Sequence, residues 1–503
     1  MTSRRKLLFA TLGVVALFGA ALGLRICTWG RPLLKAYELV EISPAGAAGG
    51  RSLTYLAQSG SPSPGHRVVA IDNDGDGTAD VVVREGPLDS FNRPTPDDPE
   101  ARWLIVCVDG VPFDEFAALW QEGHFREFFR PVPLVSPFPT ASGVALTSVF
   151  HADPVAGYED GYFDIERNRL SGGALKTTSL QDIPYVKRLD YDLPGLLRGV
   201  AYVLPRKSFR ADLGRLRGRF LASKAKVFVA HIATTDSLYH IRTREEMRAL
   251  LLEVESLLRE LYFDAGGKLR ITFFSDHGNS LAPGHPVPLR EHLAAGGWRL
   301  ATRCGNSREL VVPAYGLLGY FAVYCAGEEK AALARHLAQM EGVDLVAYAE
   351  GEGVVVENAA GLARLEWGDE GAAFRYLQVD ADPLALEEIL KRLQEEGKMD
   401  TEGWVSDAEL LAATAAHRYP DAARRLWQWA SNHVVNRADL VVSLKPGFHQ
   451  GTNAFEWMVD MRSTHGSLDR AQSLGFATST DGPLRGMIRS EELLPAELGE
   501  KRK

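Results

Sequence analysis

Four stretches of the chain stay apolar for the length of a strand. WLIVCVDG (103–110) runs into Asp109, and KVFVAHIA (226–233) leads through a short polar turn to Asp236 and His240. LRITFFSD (269–276) ends at Asp276 with His277 beside it, and DLVVSL (439–444) comes late in the chain. Continuous apolar runs of this length suit strands covered on both faces. Helical spacing follows from about Pro112 and again over roughly 243–262, so apolar strands alternate with helices. The alternation predicts an α/β fold, a mostly parallel central sheet flanked by helices. From 327 to 430 the texture changes. Residues 344–378 break into short strands around GEG and GDEG turns, and helical stretches follow near 383–396 and 406–430. This predicts an inserted α+β cap segment. Ahead of the core, a Gly/Ser/Ala/Pro-rich stretch (43–66) leads into VVAIDNDGDGTADVVV (68–83), a predicted hairpin, and PTPDDPEAR (94–102) marks a boundary. The expected organisation is an N-terminal segment (1–29), a linker with a small β element (30–99), the first part of the core (100–326), the cap (327–430), the second part of the core (431–495) and a charged tail (496–503).

Composition narrows the function classes. With 503 residues, more than one structural unit is expected, and 46% hydrophobic with 24% charged residues is ordinary for a globular chain. A net charge of −9 gives no basic footprint, which argues against a nucleic-acid scaffold as partner. The four cysteines contain no CxxC pair, so a thiolate metal site is not expected. Cys107 reads as a small core residue, Cys27 lies beside the N-terminal apolar run, and Cys304 and Cys325 flank a strand-like stretch and could pair in an oxidising compartment. Ser3-Arg4-Arg5-Lys6 precedes eighteen uncharged residues, LLFATLGVVALFGAALGL, the pattern of a basic n-region and an apolar h-region. SRRKLL also resembles a twin-arginine export signal. Export to the periplasm or cell exterior is expected, with the segment either removed or kept as a membrane anchor. In the predicted hairpin, Asp72, Asp74, Asp76 and Asp80 offer alternating hard oxygen ligands around Gly77, a spacing that suits calcium. Plain Asn-Asp-Gly turn chemistry explains the same residues, and either role is accessory.

The chemistry gathers where strands stop. In open α/β sheets functional groups collect beyond the carboxyl ends of strands. Asp236 and His240 are spaced i, i+4, one face of a helical turn and a sound geometry for two ligands on one metal. Asp109, Asp276 and His277 could serve a second. Each alone has a plainer reading, a strand-terminal Asp as helix cap above all. Their conjunction is what points to a metal centre.

These segments resemble the alkaline phosphatase superfamily, and within it the type I phosphodiesterase/nucleotide pyrophosphatase branch. VDG at Asp109, PFPTASG (137–143), DSLYH (236–240), SDHG (275–278) and THGS around His465 stand in that family's order. The resemblance covers roughly 100–300 and 435–490. It implies two zinc ions, one on Asp109, Asp276, His277 and the nucleophile oxygen, the other on Asp236, His240 and His465. Mixed carboxylate and imidazole ligands without sulfur suit zinc, and manganese or iron remain open. The family pattern places the attacking hydroxyl on Ser142, with Thr140 as the alternative. Two features depart from the branch: GVAL stands where FPNH is usual after the nucleophile, and GYEDGYFD where an Asn meets a phosphoryl oxygen. The expected activity is hydrolysis of a small phosphate ester, a nucleotide among the candidates, through a seryl-phosphate type intermediate. A phosphomonoesterase, sulfatase or phosphoryl transferase on the same core is the alternative, and a surface-anchored calcium-dependent binding protein is the rival of another class. His285 and His292 could line the site and Lys445 could contact a phosphate, but structural or surface roles are expected for these three and for His433 and His449.

Overall fold

The structure, a computed structural model, describes residues 37–44, 51–58, 65, 67–72, 81–85, 89–92, 101–173, 183–194, 200–265, 268–306, 308–314, 316–325, 329–431, 433–451 and 461–500. The N-terminal segment expected to direct export and Cys27 lie outside these residues, as do Asp74, Asp76 and Asp80. No described helix is long and apolar enough to cross a membrane.

The central sheet has six strands: β1 (Arg102–Val108), β2 (Val132–Val135), β3 (Val227–Ile232), β4 (Leu269–Phe274), β5 (Leu474–Ser479) and β6 (Ile488–Arg489). Their order across the sheet is β3-β1-β4-β5-β2-β6. Neighbours pair in parallel except at β5, which runs against both β4 and β2. The flanking helices are α1 (Phe113–Gln121), α2 (Ser142–Val149), α3 (Pro205–Ala222), α4 (Thr234–Tyr239) and α5 (Arg244–Asp264). Strand β1 shows why its sequence has no alternation. Leu104, Val106 and Val108 pack on one side with Phe116, Leu119, Leu213, Leu216, Leu251 and Val254 of α1, α3 and α5. Ile105 and Cys107 face the other side with Val144, Leu146 and Val149 of α2. Both faces are covered, so every position is apolar. Helix α5 starts at a capping box: Glu246 N–H donates to Thr243 Oγ1 and Thr243 N–H donates back to Glu246 Oε2, each at 3.3 Å.

A second, nine-stranded sheet is almost wholly antiparallel. It runs in the order Arg299–Leu300, Glu309–Val311, Tyr320–Cys325, Leu440–Leu444, Val343–Glu350, Gly353–Asn358, Gly361–Gly368, Ala373–Gln378 and Trp404–Ser406. The short strands expected over 344–378 are its meander. One expectation is corrected here. DLVVSL does not join the parallel sheet; its strand lies antiparallel between Tyr320–Cys325 and Val343–Glu350. Leu440, Val442 and Leu444 enter one apolar layer and Val441 the other, so this strand has the all-apolar signature of a parallel one without being parallel. Its expected place in the central sheet is taken by β5, LGFATS, whose small and hydroxyl residues do not read as a core strand. The helical stretch at 406–430 is two helices, Asp407–Thr414 and Ala422–Ala430, separated by a turn in which Asp421 takes φ 53°.

The N-terminal β element is a five-stranded antiparallel sheet between Tyr37 and Asn92, and the predicted hairpin joins its strands Arg67–Asp72 and Val81–Glu85. Cys107 is buried, and the thiols of Cys304 and Cys325 are free.

Candidate active site

The parallel strands β3, β1 and β4 are neighbours, so their carboxyl ends deliver side chains to one edge. Asp109 follows β1 directly, Asp276 and His277 follow β4, and α4, which follows β3, carries Asp236 with His240 one turn later. His465 arrives on the segment that precedes β5. Gly110 makes the convergence possible. It takes φ +72°, and a Cβ there would lie 3.1 Å from Asp236 Oδ1, 3.3 Å from Asn279 Nδ2 and 3.4 Å from His277 Cε1. A side chain at this point would occupy the centre of the cluster. Gly278 serves a similar end, because a Cβ there would collide with the Ala471 carbonyl oxygen at 2.1 Å.

Two overlapping sets of ligand atoms result. One atom each from Asp236, His240 and His465, and one each from Asp109, Asp236 and His277, lie within 4.8 Å of one another in their set. Asp236 Oδ2 is 3.3 Å from His240 Nε2 and its Oδ1 3.4 Å from His465 Nε2. Asp276 Oδ2 lies 3.6 Å from His277 Nε2, while its Oδ1 accepts from Gly110 N–H at 3.2 Å. The rings of His277 and His465 stack at 4.0 Å. Asp236 and Ser142 keep partial exposure and mark the way in; the rest of the set is buried.

Ser142 is the first residue of α2, with Ala141 as N-cap in extended conformation. Its Oγ donates to Asp109 Oδ1 at 3.1 Å and sits 3.2 Å from His277 Nε2. The hydroxyl thus faces the cluster, and the opening turn of α2 leaves N–H groups without intrahelical partners beside it. Thr140 is placed differently. Its Oγ1 accepts from Gly466 N–H at 2.7 Å and donates to the Ser467 carbonyl at 3.3 Å, and the side chain is fully buried. That hydroxyl ties the His465 segment to the chain ahead of α2.

The donor chemistry fits divalent cations on three counts. His240, His277 and His465 each direct Nδ1 at a backbone carbonyl, of Ser463 (2.8 Å), Gly278 (2.9 Å) and Thr140 (2.7 Å) respectively. A carbonyl only accepts, so Nδ1 holds the proton and Nε2 presents its lone pair to the cluster. Asp236 Oδ1 and Asp276 Oδ2 are buried without a hydrogen-bond partner. Finally, among the described residues no Lys or Arg pairs with Asp109, Asp236 or Asp276, so three carboxylates converge with only imidazoles to balance them. The protonation equilibria register the crowding. Burial, with Asp109 adding to it, pushes the Asp276 carboxyl up to about 6. Burial and the neighbouring His277 push His465 down to about 3. Asp236 is held below the usual carboxylate range: burial works against this, and the imidazoles of His240 and His465 outweigh it.

One buried residue of this region carries no signal in a family motif. His231, in the middle of apolar β3, is fully buried, with Nε2 3.1 Å from Asp109 Oδ2 and Nδ1 3.2 Å from Asp192 Oδ1. Burial opposes its protonated form, yet the two carboxylates raise it to about 10. A lone histidine inside VFVA-H-I was the available clue. Glu159 of GYEDGYFD accepts from Gly316 N–H at 2.8 Å and from Tyr320 Oη at 3.4 Å; burial lifts its carboxyl to about 7. Of the remaining histidines, His292 and His336 bond each other's carbonyls and His433 bonds Ser148 Oγ at 2.9 Å, which are structural roles. His285 is exposed in a two-residue strand, and His449 is buried beside Gly284 with Nδ1 unpartnered.

No family model matches the chain, and no curated protein matches it either. Solved structures do. Phosphonoacetate hydrolase from Sinorhizobium meliloti 1021, in complex with phosphonoformate, aligns with 82% of this chain and 97% of its own at 12% identity, TM-score 0.44. Human ectonucleotide pyrophosphatase / phosphodiesterase 5 aligns with 78% of this chain and 92% of its own at 10% identity, TM-score 0.42. A variant of the alkaline phosphatase PafA aligns with 82% and 96% at 11% identity, TM-score 0.36. Likeness of this degree assigns no role to any residue of this chain, whose site stands on its own geometry.

Proposed function

We propose that the chain is a two-metal hydrolase of phosphate esters with Ser142 as nucleophile. The observation that carries this reading is the position of Ser142 Oγ, 3.1 Å from Asp109 Oδ1 and 3.2 Å from His277 Nε2, beside buried carboxylate oxygens that have no hydrogen-bond partner among the described residues. Asp109, Asp276, His277 and the Ser142 oxygen would hold one divalent cation, and Asp236, His240 and His465 the other. The sulfur-free donor set suits zinc, with manganese or iron also compatible. Bound there, such cations favour the serine alkoxide and neutralise charge on the attacking and leaving oxygens. The chain supplies the rest. Ser142 Oγ–H already points at Asp109 Oδ1, the direction in which its proton leaves as Oγ bonds to phosphorus and the ester oxygen departs. The phosphoseryl or nucleotidyl-seryl intermediate is then cleaved by water. The opening N–H groups of α2 offer donors to a phosphoryl oxygen.

The absence of Lys or Arg from the described cluster favours a substrate with one negative charge at phosphorus over a dianion. A diester therefore suits the site better than a monoester, even though GVAL and GYEDGYFD depart from the diesterase branch. We also read the basic and apolar N-terminus as an export segment, which would put this chemistry outside the cytoplasm, and the aspartate-rich hairpin loop as an accessory calcium site.

The test uses the purified full chain: bound metal by elemental analysis, and turnover of bis-p-nitrophenyl phosphate, p-nitrophenyl phosphate and p-nitrophenyl sulfate. Up to two transition-metal ions per chain and preference for the bis ester are expected. Ser142→Ala should lower kcat by about a thousandfold or more while keeping its melting temperature. A parent that binds no transition metal and cleaves none of the three esters overturns the enzyme reading and leaves the calcium-dependent binding protein. Preference for the monoester or the sulfate moves the assignment to those classes.

A further inference from the structure

Each oxygen of Asp109 has its own partner. Oδ1 faces Ser142 Oγ at 3.1 Å and His277 Nε2 at 3.4 Å, and Oδ2 faces His231 Nε2 at 3.1 Å. Behind His231 stands Asp192, whose Oδ1 is 3.2 Å from Nδ1. A carboxylate, an imidazole and a second carboxylate thus form one line through the sheet. Its parts are rigidly mounted. His231 sits on β3 in register with Cys107 of β1, two residues before Asp109, and Asp109 N–H bonds the Ile232 carbonyl at 3.3 Å. Asp192 is delivered by a short extended segment along the free edge of β3. There Tyr191 bridges Ala230, His231 N–H donates to the Tyr191 carbonyl at 2.9 Å, and Val229 N–H donates to Asp190 Oδ2 at 2.8 Å.

This line is an odd choice for stability. The strand is otherwise apolar, and a buried ionic group of this kind seldom stabilises a fold more than a well-packed hydrophobic residue of similar volume. It does do something an apolar residue cannot. A carboxylate held at one oxygen cannot rotate, so its other oxygen keeps one direction.

We propose that His231, braced by Asp192, is a positioning residue that fixes Asp109 so that Oδ1 alone serves the cation site shared with Asp276, His277 and Ser142. The proposal rests on the two-metal reading above and adds a selective consequence. Of the residues proposed as ligands, His231 bonds Asp109 alone, so its loss should weaken one cation site and spare that of Asp236, His240 and His465. Groups in this position behind a metal ligand typically contribute about 10–100-fold in metal affinity or activity.

The experiment takes the full chain as parent and as His231→Phe, His231→Gln and Asp192→Asn, each checked for folding by circular dichroism. Zinc is titrated against chelators of graded strength, and kcat and KM are measured on bis-p-nitrophenyl phosphate. The parent should hold two ions. His231→Phe should lose one of them or bind it about 10–100-fold more weakly, keep the other at parental affinity, and lose kcat more than KM. His231→Gln places an amide N–H near the former Nε2 and should recover most of the first-site affinity. Asp192→Asn, the mildest change, should weaken the same site by a smaller factor and serves as the test if His231→Phe does not fold. Two ions at parental affinity in a folded His231→Phe, or in Asp192→Asn should that variant alone fold, overturn this proposal and leave the two-metal reading standing. Equal weakening of both sites also overturns it. A parent without zinc overturns both.

Discussion

Two groups of buried acids lie in this molecule, and they are partnered in opposite ways. Asp407, half-buried, opens the helix Asp407–Thr414, Asp421 is the N-cap residue of the helix Ala422–Ala430, and Arg489 holds both. Its Nε and Nη2 donate to Asp421 at 2.7 and 2.8 Å, and its Nη1 and Nη2 to Asp407 at 2.6 and 2.7 Å. Asp344 is held in the same manner by Arg418 and by Tyr419 Oη, each at 2.9 Å. Asp109, Asp236 and Asp276 have no guanidinium or ammonium partner among the described residues, and two of their oxygens are left unsatisfied. Burying a carboxylate is costly unless it is paired. The first group has met that cost within the chain. The second finds no such partner among the described residues, and this difference, more than burial itself, separates a structural acid from a functional one.

The contrast is sharpest in stability, where the largest effects are expected. Arg489→Met leaves Asp421 without its ion-pair partner and Asp407 with only Arg424, 3.9 Å away, and should cost about 3–5 kcal/mol of unfolding free energy in denaturant titration. Asp276→Asn removes a crowded carboxylate yet keeps the acceptor for Gly110 N–H. The metal-stripped variant should therefore be at least as stable as the metal-stripped parent, while losing the rise in melting temperature that zinc gives the parent. If Asp276→Asn destabilised the stripped protein as much as Arg489→Met does, the two acid groups would not differ in kind.

A smaller effect is expected at the joint between the site and its support. Thr140→Val deletes the hydroxyl that Gly466 N–H and the Ser467 carbonyl share, leaving a buried donor unmet, at a cost of about 1–3 kcal/mol. Zinc affinity should fall with it, since His465 leans on the same residue. A Thr140→Val protein with parental stability but no turnover would instead mark Thr140 as the nucleophile.

What the sequence shows of this site follows from where its groups sit. Asp109, Asp236, His240, Asp276 and His277 are readable because parallel strands place their ends together and the chain stops being apolar there. His465 is readable only through its motif, since nothing around THGS predicts a strand end. His231 and Asp192 are hidden. One is a single polar letter in an apolar strand, the other belongs to a segment with one isolated bridge, and their meeting depends on tertiary register. The fold divides along the same line. Strands that feed crossovers are legible, whereas the Leu440–Leu444 strand, apolar on both faces, gives no hint of which sheet it joins. The hydroxyl-rich β5 shows little sign of being a strand at all.

The smallest expected effect is a difference in pH dependence, and its sign discriminates. Asp276 has its folded pKa raised to about 6, above the about 3.9 of an unfolded aspartate. The fold therefore favours its protonated form. That contribution is complete below about pH 4 and is lost as pH rises through about 6. His465 is depressed to about 3, below the about 6.5 of an unfolded histidine, so its contribution is present above about pH 6.5 and is lost as pH falls toward 3. The two trends oppose each other across the same window. Subtracting the curve of metal-stripped Asp276→Asn from that of the metal-stripped parent isolates the carboxyl: the parent should lose stability relative to the variant between about pH 4 and 6, and the difference should stay constant below and above that range. Zinc competes with the same proton, so the parent's zinc affinity should climb through that interval. A flat difference curve would mean that the fold does not favour the protonated form of Asp276, and would count against its place among the crowded carboxylates of the metal site.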